Sequence, residues 1–104
     1  ICWYERGVTD SWASNLSVMD CLGFIKGNNC PHYDGEKDRR PSVHDMISTD
    51  KLDSCYASDD GSALHFNDGK LVSALSFYKN ANSYDISIKN NKINEKTIKA
   101  IEIY

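Results

Sequence analysis

The amino-acid sequence predicts an α+β fold in which one N-terminal helix packs on an antiparallel β-sheet. Two observations support this class. Apolar residues recur at helical spacing over residues 11–22, and two strand-like runs flank a turn within residues 64–78. A helix followed by a series of strands is the element order of α+β proteins. The length of 104 residues predicts a single domain, 1–104.

The predicted helix covers residues 11–22. Trp12, Leu16 and Met19 are spaced so that a helix would present them on one face. Gly23 follows this pattern, and glycine commonly ends a helix. We therefore expect this face to pack against the sheet.

The middle of the chain, residues 28–60, is polar and rich in turn-forming residues. Pro31 and Pro41, with Gly35 between them, disfavour long strands in this part of the chain. We expect one short strand around Ser42–Ile47, with loops on either side.

The stretch LHFNDGKLVSALSFY, residues 64–78, predicts a β-hairpin. Its turn is Asn-Asp-Gly-Lys at residues 67–70, where glycine accepts a positive φ at no steric cost. The strand after the turn carries apolar or small side chains on both faces, which favours a central position in its sheet. Residues 84–88 alternate as a third antiparallel strand, and residues 97–104 predict either a final edge strand or a short helix.

Four cysteines are many for a domain of this length: Cys2, Cys21, Cys30 and Cys55. No two of them have the spacing of a structural zinc site, so we expect neither a metal nor another cofactor. Two disulfides in a secreted protein are the better interpretation of this density. Four cysteines allow three pairings, and all three remain open.

The charge balance bears on the class of partner. Twelve basic and fifteen acidic residues give a net charge of −3, whereas proteins that mainly hold phosphates are usually clearly basic. Lys37, Arg39 and Arg40 form a local basic cluster, which we interpret as a solvated loop. No run approaches the ~18 apolar residues of a membrane span, and the first residues lack a basic leader. We therefore expect either a mature product or a trimmed chain, with no membrane association.

Two segments resemble the fungal guanyl-specific ribonucleases, small secreted proteins with one long helix on a curved antiparallel sheet. Cys30-Pro31-His32-Tyr33 is similar to the Pro-His-x-Tyr element that follows the helix of that family. Residues 64–88, LHFNDGKLVSALSFYKNANSYDISI, are similar to its strand-turn-strand and following strand. The resemblance covers residues 1–88, leaves 89–104 as a C-terminal extension, and implies a ribonuclease-like, disulfide-braced domain.

The resemblance also implies where catalytic groups would lie. RNA cleavage needs a general base, a general acid and a cation that offsets phosphate charge. Only His32 matches the ribonuclease pattern, since Ala63 stands at the arginine position and Phe77 at that of the late histidine. The glutamate position falls near His44 and Asp45. The implied site is catalytically dead, with His32 vestigial and no enzyme activity.

A ribonuclease scaffold without its catalytic residues resembles the secreted effectors of cereal powdery mildew fungi. This group implies a virulence effector or avirulence protein that binds host plant proteins, including an intracellular immune receptor, in the host cytoplasm. The group also implies host RNA as a secondary ligand, but the net charge of −3 predicts weak binding or none, and we expect a monomer. Loop residues of the polar middle region are the binding candidates under this hypothesis: His32, Tyr33, Lys37, Arg39 and Arg40.

Two alternatives remain open at this point. The segment SVMDCLGFI, residues 17–25, resembles killer-toxin-like and necrosis-associated fungal proteins that act on membranes. The other alternative is an active ribonuclease whose site is rebuilt from His32 and His44.

Overall fold

The structure is a computed structural model that describes residues 1–11 and 14–104. Within these ranges the elements follow in the order β1 (Tyr4–Thr9), β2 (Ser17–Asp20), β3 (Ile25–Cys30), α1 (Arg39–Ser48), β4 (Ser54–Ser58), β5 (Ser62–Asn67), β6 (Lys70–Ser76), β7 (Ser83–Lys89), β8 (Lys92–Ile98) and β9 (Ala100–Glu102).

The described strands form two sheets. The larger has six strands in the order β2-β1-β3-β4-β7-β8, and the smaller has three in the order β5-β6-β9. In the larger sheet β1, β3 and β4 are parallel neighbours, while β2, β7 and β8 pair antiparallel. Parallel neighbours need a crossover connection, and α1 supplies the one between β3 and β4.

The larger sheet is covered on both faces around β4. Cys55 and Ala57 point to one face, where they join Val43 of α1 in the buried core. Successive strand side chains alternate between faces, so Tyr56 points to the other face. There its ring lies 5.8 Å from the ring of Phe66 in the smaller sheet. The fold is therefore layered, with a helix, a mixed sheet and a second sheet.

Helix α1 occupies the region where we predicted a short strand at Ser42–Ile47, so that prediction is wrong. Pro41 lies in the first turn of α1, where the N–H that proline lacks would have no helical partner anyway. Val43 and Ile47 are one turn apart and both are buried against the sheet. Among the described residues, no helix has the length and apolar character needed to cross a bilayer.

The predicted N-terminal helix over residues 11–22 is wrong, and with it the ribonuclease-like α+β fold. Residues 17–20 instead form β2, paired antiparallel with β1 so that Val18 lies opposite Val8. Leu16 and Val18, two positions apart as on one face of a strand, pack against the core. Trp12, which suggested the helical spacing, lies outside the described residues.

The predicted hairpin is confirmed as β5 and β6. Asp68 and Gly69 have φ values of 53° and 77°, as a two-residue turn of the kind favoured by twisted hairpins requires. β6 is the central strand of its sheet, as its two apolar faces predicted. The third strand also exists as β7, but it pairs with β4 and β8 in the other sheet, so the prediction that it continues the sheet of the hairpin is wrong.

The C-terminal tail forms strands. β9 is an edge strand parallel to β6, which confirms the edge-strand alternative for part of residues 97–104. β8 lies mostly before the predicted strand and is an additional strand. Asn90 and Asn91, with φ values of 52° and 62°, form a tight turn that returns the chain beside β7.

All four cysteines are free thiols, so the predicted disulfide bracing is wrong. Cys30 and Cys55 are buried in the core between the larger sheet and α1. They act there as small apolar side chains, a common use of cysteine. Cys2 is exposed and Cys21 partly buried.

Candidate active site

Three polar residues lie just beyond the carboxyl ends of the parallel strands. Asp10 follows β1 directly, His32 lies two residues after the end of β3, and Asp60 lies two residues after the end of β4. Because β1, β3 and β4 are parallel neighbours, these ends meet at one edge of the sheet. The crevice outside the carboxyl ends of parallel strands is where α/β proteins bind ligands.

His32 and Asp60 form a hydrogen-bonded pair at this edge. The distance from His32 Nδ1 to Asp60 Oδ1 is 2.5 Å. An ionised carboxylate only accepts hydrogen bonds, so it holds the proton of the imidazole on Nδ1 and leaves Nε2 as the basic nitrogen. Both side chains are more than half exposed, at 58% and 56%, so Nε2 is accessible from outside this pair.

The backbone at His32 is unusual. Its φ of 55° lies in the left-handed region, which only a few per cent of non-glycine residues adopt. The loop is held there by two backbone bonds, Tyr33 N to Ser58 O at 3.0 Å and Glu36 N to His32 O at 3.2 Å. Strained residues that the surrounding structure holds in place concentrate at functional sites.

Asp60 is seated by the loop that follows His32. Its backbone N donates to Asp34 Oδ1 at 2.9 Å. A Cβ on Gly35 would overlap the Asp60 carboxylate, with Asp60 Cγ only 3.1 Å away. The loop therefore approaches Asp60 so closely that only glycine fits at position 35 without displacing the carboxylate.

A second polar cluster lies next to the pair, around Glu95 on β8. The carboxylate of Glu95 accepts from Tyr33 Oη at 2.5 Å, from His44 Nε2 at 3.0 Å and from Arg40 Nε at 3.3 Å. Partial burial would raise the pKa of Glu95, but the bonds from Tyr33 and His44 and the charge of Arg40 outweigh it and lower that pKa. Tyr33 itself is buried, and burial with its bond to Glu95 raises the pKa of its hydroxyl.

Arg39 ties the carboxyl end of β1 to the start of α1. Its guanidinium donates to Val8 O at 3.0 Å and pairs with Glu36 at 2.8 Å and Asp10 at 3.6 Å. The side chain is only 4% exposed. Arg39 is thus a structural ion-pair residue rather than part of a solvated basic loop.

A cleft of about 810 Å³ opens beside α1, lined by acidic, basic and apolar residues that include Asp10, Arg39 and Met46. His32 and Asp60 are not among its lining residues. We therefore place the candidate site on the exposed histidine–carboxylate pair rather than in this cleft. No group of three metal-ligating side chains comes together in residues 1–11 and 14–104.

The structure separates the residues that the ribonuclease resemblance brought together. Ala63 lies in β5 and Phe77 follows β6, both at the smaller sheet. His44 lies on α1 and bonds Glu95, and Asp45 is exposed beside it. The predicted binding residues also differ in exposure: His32 and Lys37 are exposed, Arg40 is partly buried, and Tyr33 and Arg39 are buried.

Sequence reasoning missed Asp60 and Gly35. The segment that contains Asp60 was interpreted as a loop, because the segment is polar and Asp60 is followed by a glycine. The signal was present in YASDDGS, residues 56–62, where a short alternating run ends in adjacent carboxylates. Such a pattern also fits a strand whose carboxyl end carries functional groups.

Comparison with known proteins gives two matches. The model of peptidase family S51 matches residues 1–74, which include both His32 and Asp60. The uncharacterized peptidase YgaJ of Bacillus subtilis (strain 168) is 50% identical over 95 residues, which make up 91% of this chain and 41% of that protein. The chain thus spans about two fifths of the length of this relative. Comparison with solved structures gives no match.

These matches overturn the identity and function that the sequence suggested. Both point to peptidases, so the resemblance to a fungal ribonuclease-like effector is wrong, and so is the prediction that the chain is no enzyme. Neither the killer-toxin-like alternative nor the rebuilt ribonuclease finds support. The predicted host partners, monomeric state, location and binding residues rested on that resemblance and are untested.

Proposed function

The chain belongs to peptidase family S51, and on that premise we propose that it supplies the histidine and the carboxylate of a peptidase active site. The observation that carries this proposal is the bond between His32 Nδ1 and Asp60 Oδ1, 2.5 Å long and exposed at the carboxyl edge of the parallel strands.

The proposed chemistry follows from the tautomer that Asp60 imposes. Peptide hydrolysis through a nucleophile needs a base that takes the proton of the nucleophile and then returns it to the leaving amine. His32 Nε2 is the atom suited to both steps because Nδ1 keeps its proton against Asp60. The Asp60 carboxylate would also stabilise the imidazolium that forms between the two steps.

The nucleophile in this scheme is a hydroxyl or thiol within hydrogen-bonding reach of His32 Nε2. Cys30 is two residues from His32, but its thiol is fully buried, and burial raises its pKa to about 11. Burial likewise raises the pKa of Cys55. Such thiols are poor nucleophiles near neutral pH. We propose that the nucleophile belongs to a segment equivalent to the part of the Bacillus relative that this chain does not match.

The test joins this chain to that part of the Bacillus relative, replacing the matching segment, and follows peptide cleavage by mass spectrometry. We expect the chimera to hydrolyse peptides, His32→Ala to lower kcat/KM by about 10³-fold or more, and Asp60→Asn by a similar factor. His65→Ala is the matched control because His65 is exposed on β5 in the other sheet. A chimera without activity, or one that His32→Ala affects no more than His65→Ala, would disprove the proposal.

A further inference from the structure

Tyr84 on β7 contacts the chain neighbours of both members of the pair. Its ring centroid lies 5.4 Å from that of Tyr33, which follows His32 directly. Its hydroxyl donates to Asp59 Oδ2 at 3.3 Å, and Asp59 directly precedes Asp60. One side chain thus reaches the two loops that carry the histidine and the carboxylate.

On the carboxylate side, the contact is with a buried acid. Asp59 is 4% exposed, and its Oδ2 accepts from Asn82 N at 3.0 Å as well as from Tyr84. The backbone N of Asp59 donates to Asn82 O at 2.9 Å. Because Asp59 is buried, its carboxylate is poorly solvated, and this burial raises its pKa. A buried carboxylate depends on its protein donors, so losing the Tyr84 donor would loosen this end of the loop.

On the histidine side, the contact is with a stacked cluster. The Arg40 guanidinium carbon lies 4.6 Å from the Tyr33 ring centroid and 5.2 Å from that of Tyr84. Its Nε pairs with Glu95, which also accepts from the Tyr33 hydroxyl. Tyr33 is thereby fixed at the face of its ring and at its hydroxyl, and the residue directly before it is His32 with its left-handed backbone.

We propose that Tyr84 is a positioning residue that keeps the His32 imidazole and the Asp60 carboxylate at hydrogen-bonding distance. Its importance for catalysis rests on the proposed function, whereas its effect on the pair does not. Tyr84 lies on β7, outside residues 1–74 that the family model matches. The C-terminal strands would therefore serve the site without contributing a reacting group to it.

The experiment removes the two contacts of Tyr84 separately. Tyr84→Phe keeps the ring on Tyr33 and removes the bond to Asp59, while Tyr84→Leu removes both contacts. Tyr104→Phe is the matched control, since Tyr104 is exposed in the tail. The direct readout is the low-field proton NMR signal of the hydrogen bond from His32 Nδ1 to Asp60, assigned by its absence in His32→Ala.

We expect Tyr84→Phe to shift or broaden this signal and Tyr84→Leu to abolish it, while Tyr84→Phe still unfolds cooperatively, a few degrees below the control because Asp59 loses one donor. In the chimeric peptidase we expect Tyr84→Phe to lower kcat by about tenfold with little change in KM, because small misplacements of catalytic groups are costly. If the signal has the same position and width in Tyr84→Phe and Tyr84→Leu as in Tyr104→Phe, the inference is wrong.

The two proposals fail in different ways. If the signal depends on Tyr84 but His32→Ala leaves peptide cleavage intact, the peptidase role is wrong and the positioning role stands. If His32→Ala abolishes cleavage and both Tyr84 variants leave signal and kcat unchanged, the positioning role is wrong and the peptidase role stands.

Discussion

The two sheets of this protein differ in how they are covered and in how their strands are joined. The larger is covered by α1 on one face, and on the other Phe66 of the smaller sheet packs edge-on to Tyr4 and Tyr56. The smaller sheet leaves Val72 57% and Ile101 55% exposed. The larger has parallel strands joined by a crossover, and the smaller begins as a hairpin with a two-residue turn.

This difference explains where the candidate site lies. Crossovers return the chain to the same edge of the sheet, so loops distant in sequence converge there, as those of His32 and Asp60 do across 28 positions. A hairpin brings together only residues close in sequence. The smaller sheet contributes cover, and the larger one contributes the geometry that chemistry requires.

The largest expected effect is on packing, and it tests whether the larger sheet carries the stability. Ile86 on β7 is fully buried in the core, so Ile86→Ala should lower the free energy of unfolding by about 2–5 kcal/mol. Val72→Ala, at an exposed position of the smaller sheet, should change it by about 0.5 kcal/mol or less. Chemical denaturation of both variants measures the difference, and equal losses would contradict the contrast between the sheets.

The next effect concerns the loop that seats Asp60. Gly35→Ala places a methyl group where the Asp60 carboxylate lies, so the carboxylate should turn away from His32. We expect kcat/KM of the chimeric peptidase to fall by about 100-fold, with the NMR signal of the His32–Asp60 bond lost. Thermal unfolding checks that the variant is folded. A folded Gly35→Ala protein with full activity would show that the pair does not need this close approach.

The third effect is a pH dependence of stability that arises at Glu95. The pKa of Glu95 is lowered in the folded protein from an ordinary value of 4.5. Near this pH the folded state therefore binds fewer protons than the unfolded state. The stabilisation is therefore complete above about pH 4.5 and is lost as pH falls through the lowered pKa. Glu95→Gln should cost about 1–3 kcal/mol at pH 7, and the cost should shrink in acid. Denaturation curves of both proteins from pH 3 to 7 test this, and a pH-independent difference would contradict it.

The smallest effect separates the hairpin from the site. Gly69 has a φ of 77° in the turn between β5 and β6, so Gly69→Ala should cost about 1 kcal/mol through backbone strain. Because this turn is remote from the pair in the fold, kcat/KM of the chimera should stay unchanged. A marked loss of activity would mean that the smaller sheet influences the site directly.

The same contrast shows which parts of the fold the sequence predicts. The hairpin of β5 and β6 is coded locally, by an Asp-Gly turn and alternating residues, and its prediction is confirmed. The sequence pattern predicts a helix where the strand at 17–20 lies and a strand where the helix at 39–48 lies. β2 is only four residues long and depends on pairing with β1, while Pro41 in the first turn of α1 concealed a helix that depends on burial of Val43 and Ile47.

The candidate site was predictable only in part. The Pro-His-x-Tyr element singles out His32, and residues 56–62 mark Asp60 as the end of a strand, but no sequence pattern pairs the two. Their contact exists because β3 and β4 are neighbours in a parallel sheet, which no local pattern encodes. The cysteines misled for a similar reason. Their number suggests disulfides, whereas burial in the core accounts for Cys30 and Cys55.

The crossover through α1 has a consequence for engineering the chain. His32 follows β3 and Asp60 follows β4, so both belong to one uninterrupted piece of about 37 residues, 25–61, that runs from the start of β3 to the turn after β4. A circular permutant opened at the exposed turn of residues 68–69 keeps this piece whole, because new termini are best tolerated at such tips. A permutant opened between residues 33 and 59 would instead place the two partners near opposite termini, where fraying acts on the bond between them.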